Sequence, residues 1–171
     1  TLVSGSAVIT SPTSPNSGVT ALGVGVNVFQ WTISNGVCAS SSSTVSIQRD
    51  AFPSIASAGP SQTFCATSSF TMAGNTPTAG TGLWALVSGA GTITTPTLPT
   101  TGVTAIGNGN NIFQWTISNG VCPSTSATMS ILNYAMPTTA NAGPNQSICA
   151  TSTLLAGNTP VIGVGVWNVV T

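Results

Sequence analysis

Asn111-Ile112-Phe113-Gln114-Trp115-Thr116-Ile117-Ser118-Asn119-Gly120-Val121-Cys122 is the stretch whose reading decides the fold. Phe113, Trp115 and Ile117 alternate with Gln114, Thr116 and Ser118, the two-residue period of a strand with one buried face. Asn119-Gly120 follows, a strong short-range hairpin signal. Ala127, Met129 and Ile131 then alternate with Thr128, Ser130 and Leu132, which gives the returning strand. Further short strands are expected at about 62–66, 70–73, 83–88, 91–95 and 103–106, between clusters of Gly, Pro and Asn. No apolar period of 3.6 residues runs far enough for a helix. Seven short strands in about 84 residues predict an all-β, immunoglobulin-like β-sandwich.

The stretch has a double. Asn27-Val28-Phe29-Gln30-Trp31-Thr32-Ile33-Ser34-Asn35-Gly36-Val37-Cys38 nearly repeats it, and Cys38 to Cys122 sets a period of 84 residues, a whole small domain. Ala58-Gly59-Pro60 through Ser68 returns at 142–152 with the same spacing. Ala73-Gly74-Asn75-Thr76-Pro77 returns as Ala156-Gly157-Asn158-Thr159-Pro160, one position short, and Trp84 returns as Trp167. A deletion in the loop after the cysteine accounts for the slip.

In phase, residues 1–50 are the C-terminal part of one repeat, 51–134 a complete repeat and 135–171 the N-terminal part of the next. Two readings follow. The chain is a window onto a longer array, or a subunit whose last half-repeat is completed by the first half-repeat of another molecule. The window is preferred, because Thr1 and Asn168 share a phase and the overlap would be redundant in subunits joined end to end. Either way the partners are copies of the same unit.

Composition removes most chemistry. There is one Lys or Arg, one Asp or Glu and no His, so general acids, general bases and metal ligands are nearly absent. No catalytic, cofactor-binding or metal residue is assigned, and no cofactor is expected. Arg49 and Asp50 sit together at a repeat boundary and read as a solvated pair. Nucleic acid needs a basic stripe that this chain lacks. The apolar runs fall short of a membrane span of roughly 20 residues. A lone Asp50 cannot build the calcium sites that stiffen many repeat arrays, so rigidity is assigned to packing, to one intradomain disulfide per repeat and to Pro53, Pro60, Pro137 and Pro144 in the linkers.

The four cysteines fall at two phases, Cys38 with Cys122 and Cys65 with Cys149. The expectation is one bridge per domain, Cys65 to Cys122, with Cys38 and Cys149 finding partners outside the segment or in a neighbouring chain. Closing a loop of about 57 residues would contribute on the order of 4 kcal/mol and implies an oxidising compartment. Pairing of Cys38 with Cys65 across repeats is the alternative. Trp31, Trp84, Trp115, Trp167, Phe113 and Ile117 are expected in the core, with Trp84 and Trp115 facing each other across the two sheets. Stacking of tryptophan on sugar is the competing role.

The phrases Ala-Gly-Pro-x-Gln, Cys-Ala-Thr-Ser, Ala-Gly-Asn-Thr-Pro, Gly-x-Gly-x-Trp and Phe-Gln-Trp-Thr-Ile-Ser-Asn-Gly-Val-Cys resemble the immunoglobulin-like or PKD-like tandem repeats of very large Bacteroidetes cell-surface proteins, many of which end in a gliding-motility-associated module. The resemblance implies export by the type IX secretion system, an extracellular or cell-surface location, and work as an adhesin or filament. The chain departs from the family's common members in its scarcity of acidic residues. Two functions are carried forward. The first is a structural or adhesive repeat of an extracellular fibre, meeting copies of itself end to end and, for want of charge repulsion, open to lateral bundling. The second is a carbohydrate-binding module whose partner is a surface glycan.

Overall fold

A computed structural model describes residues 1–170, and within them every regular element is a strand. The complete repeat holds seven: β6 (Gln62–Cys65), β7 (Ser69–Thr71), β8 (Thr81–Ser88), β9 (Thr92–Ile93), β10 (Gly102–Thr104), β11 (Gly109–Asn119) and β12 (Cys122–Tyr134). They form a four-stranded sheet in the order β6-β12-β11-β8 and a three-stranded sheet in the order β7-β10-β9. β6 pairs parallel to β12, and the other neighbours are antiparallel. This is an immunoglobulin-like β-sandwich, with each expected strand within a few residues of its place.

Alternation packs the sandwich. Phe113, Trp115 and Ile117 of β11 and Met129 and Ile131 of β12 pack with Met72, just after β7, and Val103 of β10. Trp84 and Trp115 do not face each other across the sheets as expected. They are register partners on the adjacent strands β8 and β11, with ring centroids 5.1 Å apart and planes inclined by 38°. Opposed positions on neighbouring strands have Cβ atoms about 4.5–5.5 Å apart, whereas the backbones of facing sheets are about 10 Å apart. Gly82 makes room for this pair, because a Cβ there would overlap the Trp115 ring.

The hairpin turns through Gly120, at φ +52°, and Val121, with Asn119 opposite Cys122. The glycine therefore takes the first central position of the turn. The slip in the repeat also has a different address. The loop 66–68 is preserved at 150–152, and the missing residue falls between 68 and 73, in the stretch of β7.

Residues 1–50 reproduce only the later strands of the repeat: β1 (Leu2–Ser4), β2 (Val8–Ile9), β3 (Val19–Thr20), β4 (Gly25–Ile33) and β5 (Ser41–Arg49). β1-β4-β5 make one sheet and β2-β3 another. Counterparts of β6, β7 and the first part of β8 lie in residues 135–170, where no strand forms.

Candidate interaction surface

The path of the chain through the complete repeat sets the geometry. Asp50 and Ala51 meet the tip of the β11–β12 hairpin: the Asp50 carboxylate accepts from Val121 N–H at 3.0 Å, and Asn119 Nδ2 donates to the Ala51 carbonyl at 2.9 Å. Gly120 permits this approach, since a Cβ there would overlap the Asp50 carboxylate. The chain then runs beside β12. Thr125 Oγ1 donates to the Ser54 carbonyl at 2.6 Å, and Ser130 N–H donates to Ser61 Oγ at 3.0 Å. β6 continues in the same direction, pairing Cys65 with Tyr134, where β12 ends. The repeat is thus threaded from the hairpin tip to the opposite pole, twelve residues along β12, or about 40 Å.

This overturns the expected Cys65–Cys122 bridge. Cys122 opens β12 and Cys65 lies beside its last residue, so the two thiols occupy opposite poles, far outside the roughly 7 Å between Cα atoms that a disulfide tolerates. All four cysteines are free thiols. β7 and β11, the strands placed where an antibody domain carries its inter-sheet bridge, have no cysteine and fill that space with Phe70, Phe113 and Trp115. Core packing replaces the staple.

Arg49 and Asp50 do not act as a pair. Arg49 Nη1 donates to the Leu22 carbonyl at 2.9 Å, while Asp50 takes Gln48 Nε2 at 3.0 Å and Val121. The hydrogen bonds from Gln48 and then from Val121 N–H hold the Asp50 carboxyl below its ordinary range.

The predicted core residues divide by context. Trp84, Trp115, Phe113 and Ile117 are buried, whereas Trp31 and Trp167 are exposed. In the first half-repeat Trp31, Ile33, Val45 and Ile47 form an apolar floor, and a groove beside them is lined by Ile9, Pro15, Val19, Phe29 and Trp31. In the last half-repeat Ile148, Leu154, Leu155, Val164, Val166 and Trp167 stand in solvent. Each half lacks what the other holds. By phase Trp167 corresponds to Trp84 and Trp31 to Trp115, so each half has one ring of the tryptophan pair. Gly82 is crowded by Trp115, but its counterpart Gly165 has nothing within 4 Å.

The asparagines do more than the sequence reading gave them. Buried Asn111 accepts from Ala90 N–H at 2.7 Å and donates to the carbonyls of Gly107, Gly109 and Ile131. Asn75 clamps the incoming chain, accepting from Ser57 N–H at 2.8 Å and donating to the Ile55 carbonyl at 3.0 Å. Asn158 does the same to Asn141 and Thr139. The twice-written Ala-Gly-Asn-Thr-Pro was the available signal, and it served only to set the phase.

No protein-family model matches the chain, and no curated protein matches it. Among solved structures it is similar to the solution structure of the PKD domain from KIAA 1837 protein, with 17% identity over 54% of this chain and 92% of that one, at a TM-score of 0.42. Among the described residues no helix is long and apolar enough to cross a membrane, and no three His, Cys, Asp or Glu side chains converge as metal ligands.

Proposed function

We propose that this chain is a non-catalytic structural repeat of an extracellular fibre, and that residues 135–170 are complementary to the open half-sandwich 1–50, so that copies of the segment 1–171 join end to end through them. The observation that carries the reading is the complementarity of the two ends about a domain threaded from pole to pole. The first half-repeat holds the later strands with their apolar face bare. The last holds the earlier strands with no sheet to join. Because chain arrives at one pole of the complete repeat and leaves at the other, pairing of such halves extends a line.

The segment that fits the open half is the one that repeats its missing part. Within 51–134 the segment 51–85 packs on 86–134 of the same repeat, and 135–168 repeats that segment phrase by phrase. Seating Trp167 beside Trp31 would rebuild the pair seen at Trp84 and Trp115. Each side chain of Leu, Val or Ile size taken fully out of water adds about 1.5–3 kcal/mol. Residues 168–170 share their phase with β1 and are surplus to the joint. A surface, adhesin-like setting in the manner of the Bacteroidetes repeats is supported by the phrases shared with them, and the non-catalytic role by one carboxylate side chain and no His. Trp84 and Trp115 are buried while Trp31 and Trp167 are exposed, and seating Trp167 beside Trp31 would cover both rings that a sugar could otherwise stack on.

Light scattering and negative-stain imaging of the purified chain test the proposal. Fibres of the full chain are expected, with only monomers once 135–171 are deleted and fibres retained when 168–171 alone are deleted. A monodisperse full chain, or fibres indifferent to loss of 135–171, overturns it.

A further inference from the structure

The chain contains two repeat junctions, and each shows half of one arrangement. At the first, after β5, the hairpin tip of the following repeat is present: Cys122 Sγ lies 3.5 Å from the Asp50 carbonyl oxygen. At the second, after β12, the β6 end of the preceding repeat is present: Ala66 N–H donates to the Tyr134 carbonyl at 2.7 Å, and Cys65 Sγ lies 3.8 Å from Met136 Sδ. Asp50 and Tyr134 are one period of 84 residues apart, so they are the same position in successive repeats. Overlaid, the two half-junctions bring to one main-chain carbonyl a hairpin-tip thiol and Ala66, the residue that directly follows the β6-end cysteine. Neither junction shows both thiols, because a different half-repeat is missing on each side.

We infer that the cysteines form disulfides between successive repeats, the β6-end cysteine of one repeat bonding to the hairpin-tip cysteine of the repeat that follows. The inference rests on the end-to-end reading above. In a joint between two copies it assigns Cys65 of one copy to Cys38 of the next, and Cys149 of the first to Cys122 of the next, two bridges per joint. Cys65, Cys149 and Cys38 are exposed and Cys122 is half-buried, so an oxidant has access. The chemistry balances with a small-molecule disulfide as oxidant. One protein thiolate attacks it and releases a thiol, then the facing thiolate displaces the second, leaving one protein S–S bond and two small thiols. The bridges would tie the joints covalently while leaving every domain core free of sulfur.

Fibres of the full chain, assembled with oxidised glutathione, can be alkylated, digested without reductant and mapped by mass spectrometry. The expected result is peptides of Cys65 joined to Cys38 and of Cys149 joined to Cys122, with a ladder of multimers in denaturing gels that collapses to one band on reduction. The Cys65→Ser, Cys149→Ser double variant is expected to form fibres that lose the ladder entirely. Fibres whose four thiols all alkylate, or in which Cys65 is joined to Cys122, overturn the inference and leave the end-to-end reading standing. Absence of fibres overturns both.

Discussion

β4 and β11 carry almost the same residues in two surroundings, and they differ only on one face. Trp115 and Ile117 are fully buried in β11, yet their counterparts Trp31 and Ile33 in β4 are 42% and 62% exposed. Asn27 and Asn111 are equally buried at 1%. The asparagine is tied to main chain within 21 residues of itself, in both cases through four contacts of 2.7 to 3.4 Å. The tryptophan needs strands that come earlier in the repeat. The asparagine end of the inner face is therefore closed by local hydrogen bonding, and the rest of that same face is closed by whatever supplies β6, β7 and β8. The hairpin tip behaves the same way. β11 and β12 pair out to Asn119 and Cys122, where Asp50 and Ala51 hold the turn, whereas the β4–β5 ladder stops at Ile33 and Ser41.

The sharpest way to break this comparison uses two glycines at one phase. Gly82→Ala forces a Cβ into the Trp115 ring and should destabilise the complete repeat by about 3 kcal/mol, the upper range for overpacking. Gly165→Ala meets nothing in the free chain and should change monomer stability by less than about 0.5 kcal/mol. It should nonetheless abolish fibres, because Trp31 arrives against that position. Urea unfolding followed by tryptophan fluorescence reads the first effect, and light scattering reads the second. Equal destabilisation of the monomer by both variants would mean that residues 135–170 are already closed, and the open-half account would be wrong.

A smaller effect should be the same in both regions. Asn111→Ala strands the Ala90 N–H and three carbonyls, a loss of about 2 kcal/mol. Asn27→Ala removes the equivalent ties to Ser6, Gly23, Gly25 and Ile47 and should cost a similar amount. Hydrogen exchange at Ser6 and Ala90, whose N–H groups bond these side chains, checks the two separately. Lost protection at Ala90 without lost protection at Ser6 would show that the first half-repeat does not hold its local order alone.

What could be read from residues alone follows the same division. Alternation in Phe113 to Ser118 and the Asn119-Gly120 turn placed strands and hairpin, because strand period and turn preference act over a few residues. The repeat boundaries are an expectation from phase, read from phrases that recur 84 residues apart. The cysteines misled because matched phases say that two residues recur together, without saying at which pole each one lies. Only the parallel β6–β12 register, a contact between residues nearly seventy apart, shows that Cys65 and Cys122 are separated by the length of the domain. The tryptophans were assigned to the core correctly in the complete repeat, but to opposite sheets, since alternation fixes a face and not the neighbour across it. Asn75 and Asn158 were visible as a repeated phrase, and their clamping of the linker required the fold.

The smallest expected effect concerns the single carboxylate at the first junction. Asp50 has its pKa lowered by Gln48 and by Val121 N–H, with slight burial opposing them. A lowered folded pKa contributes stability that is fully present above the unfolded value, about 3.9, and is lost as pH falls through the folded one. Contact between Asp50 and the hairpin tip should therefore weaken only below about pH 4, and Asp50→Asn should flatten that dependence while changing little at neutral pH. The carboxylate is open to water, so water and salt screen the interaction and the shift in unfolding midpoint should be small. Amide exchange at Val121, followed from pH 6 to pH 3 in the wild type and in Asp50→Asn, reads it directly. Tyr134 holds the same phase at the second junction and has no carboxylate to offer the next hairpin tip, so loosening in acid is expected at alternate junctions only. Uniform behaviour along a fibre would mean that contacts such as that of Asn119 with the Ala51 carbonyl carry the docking instead of Asp50.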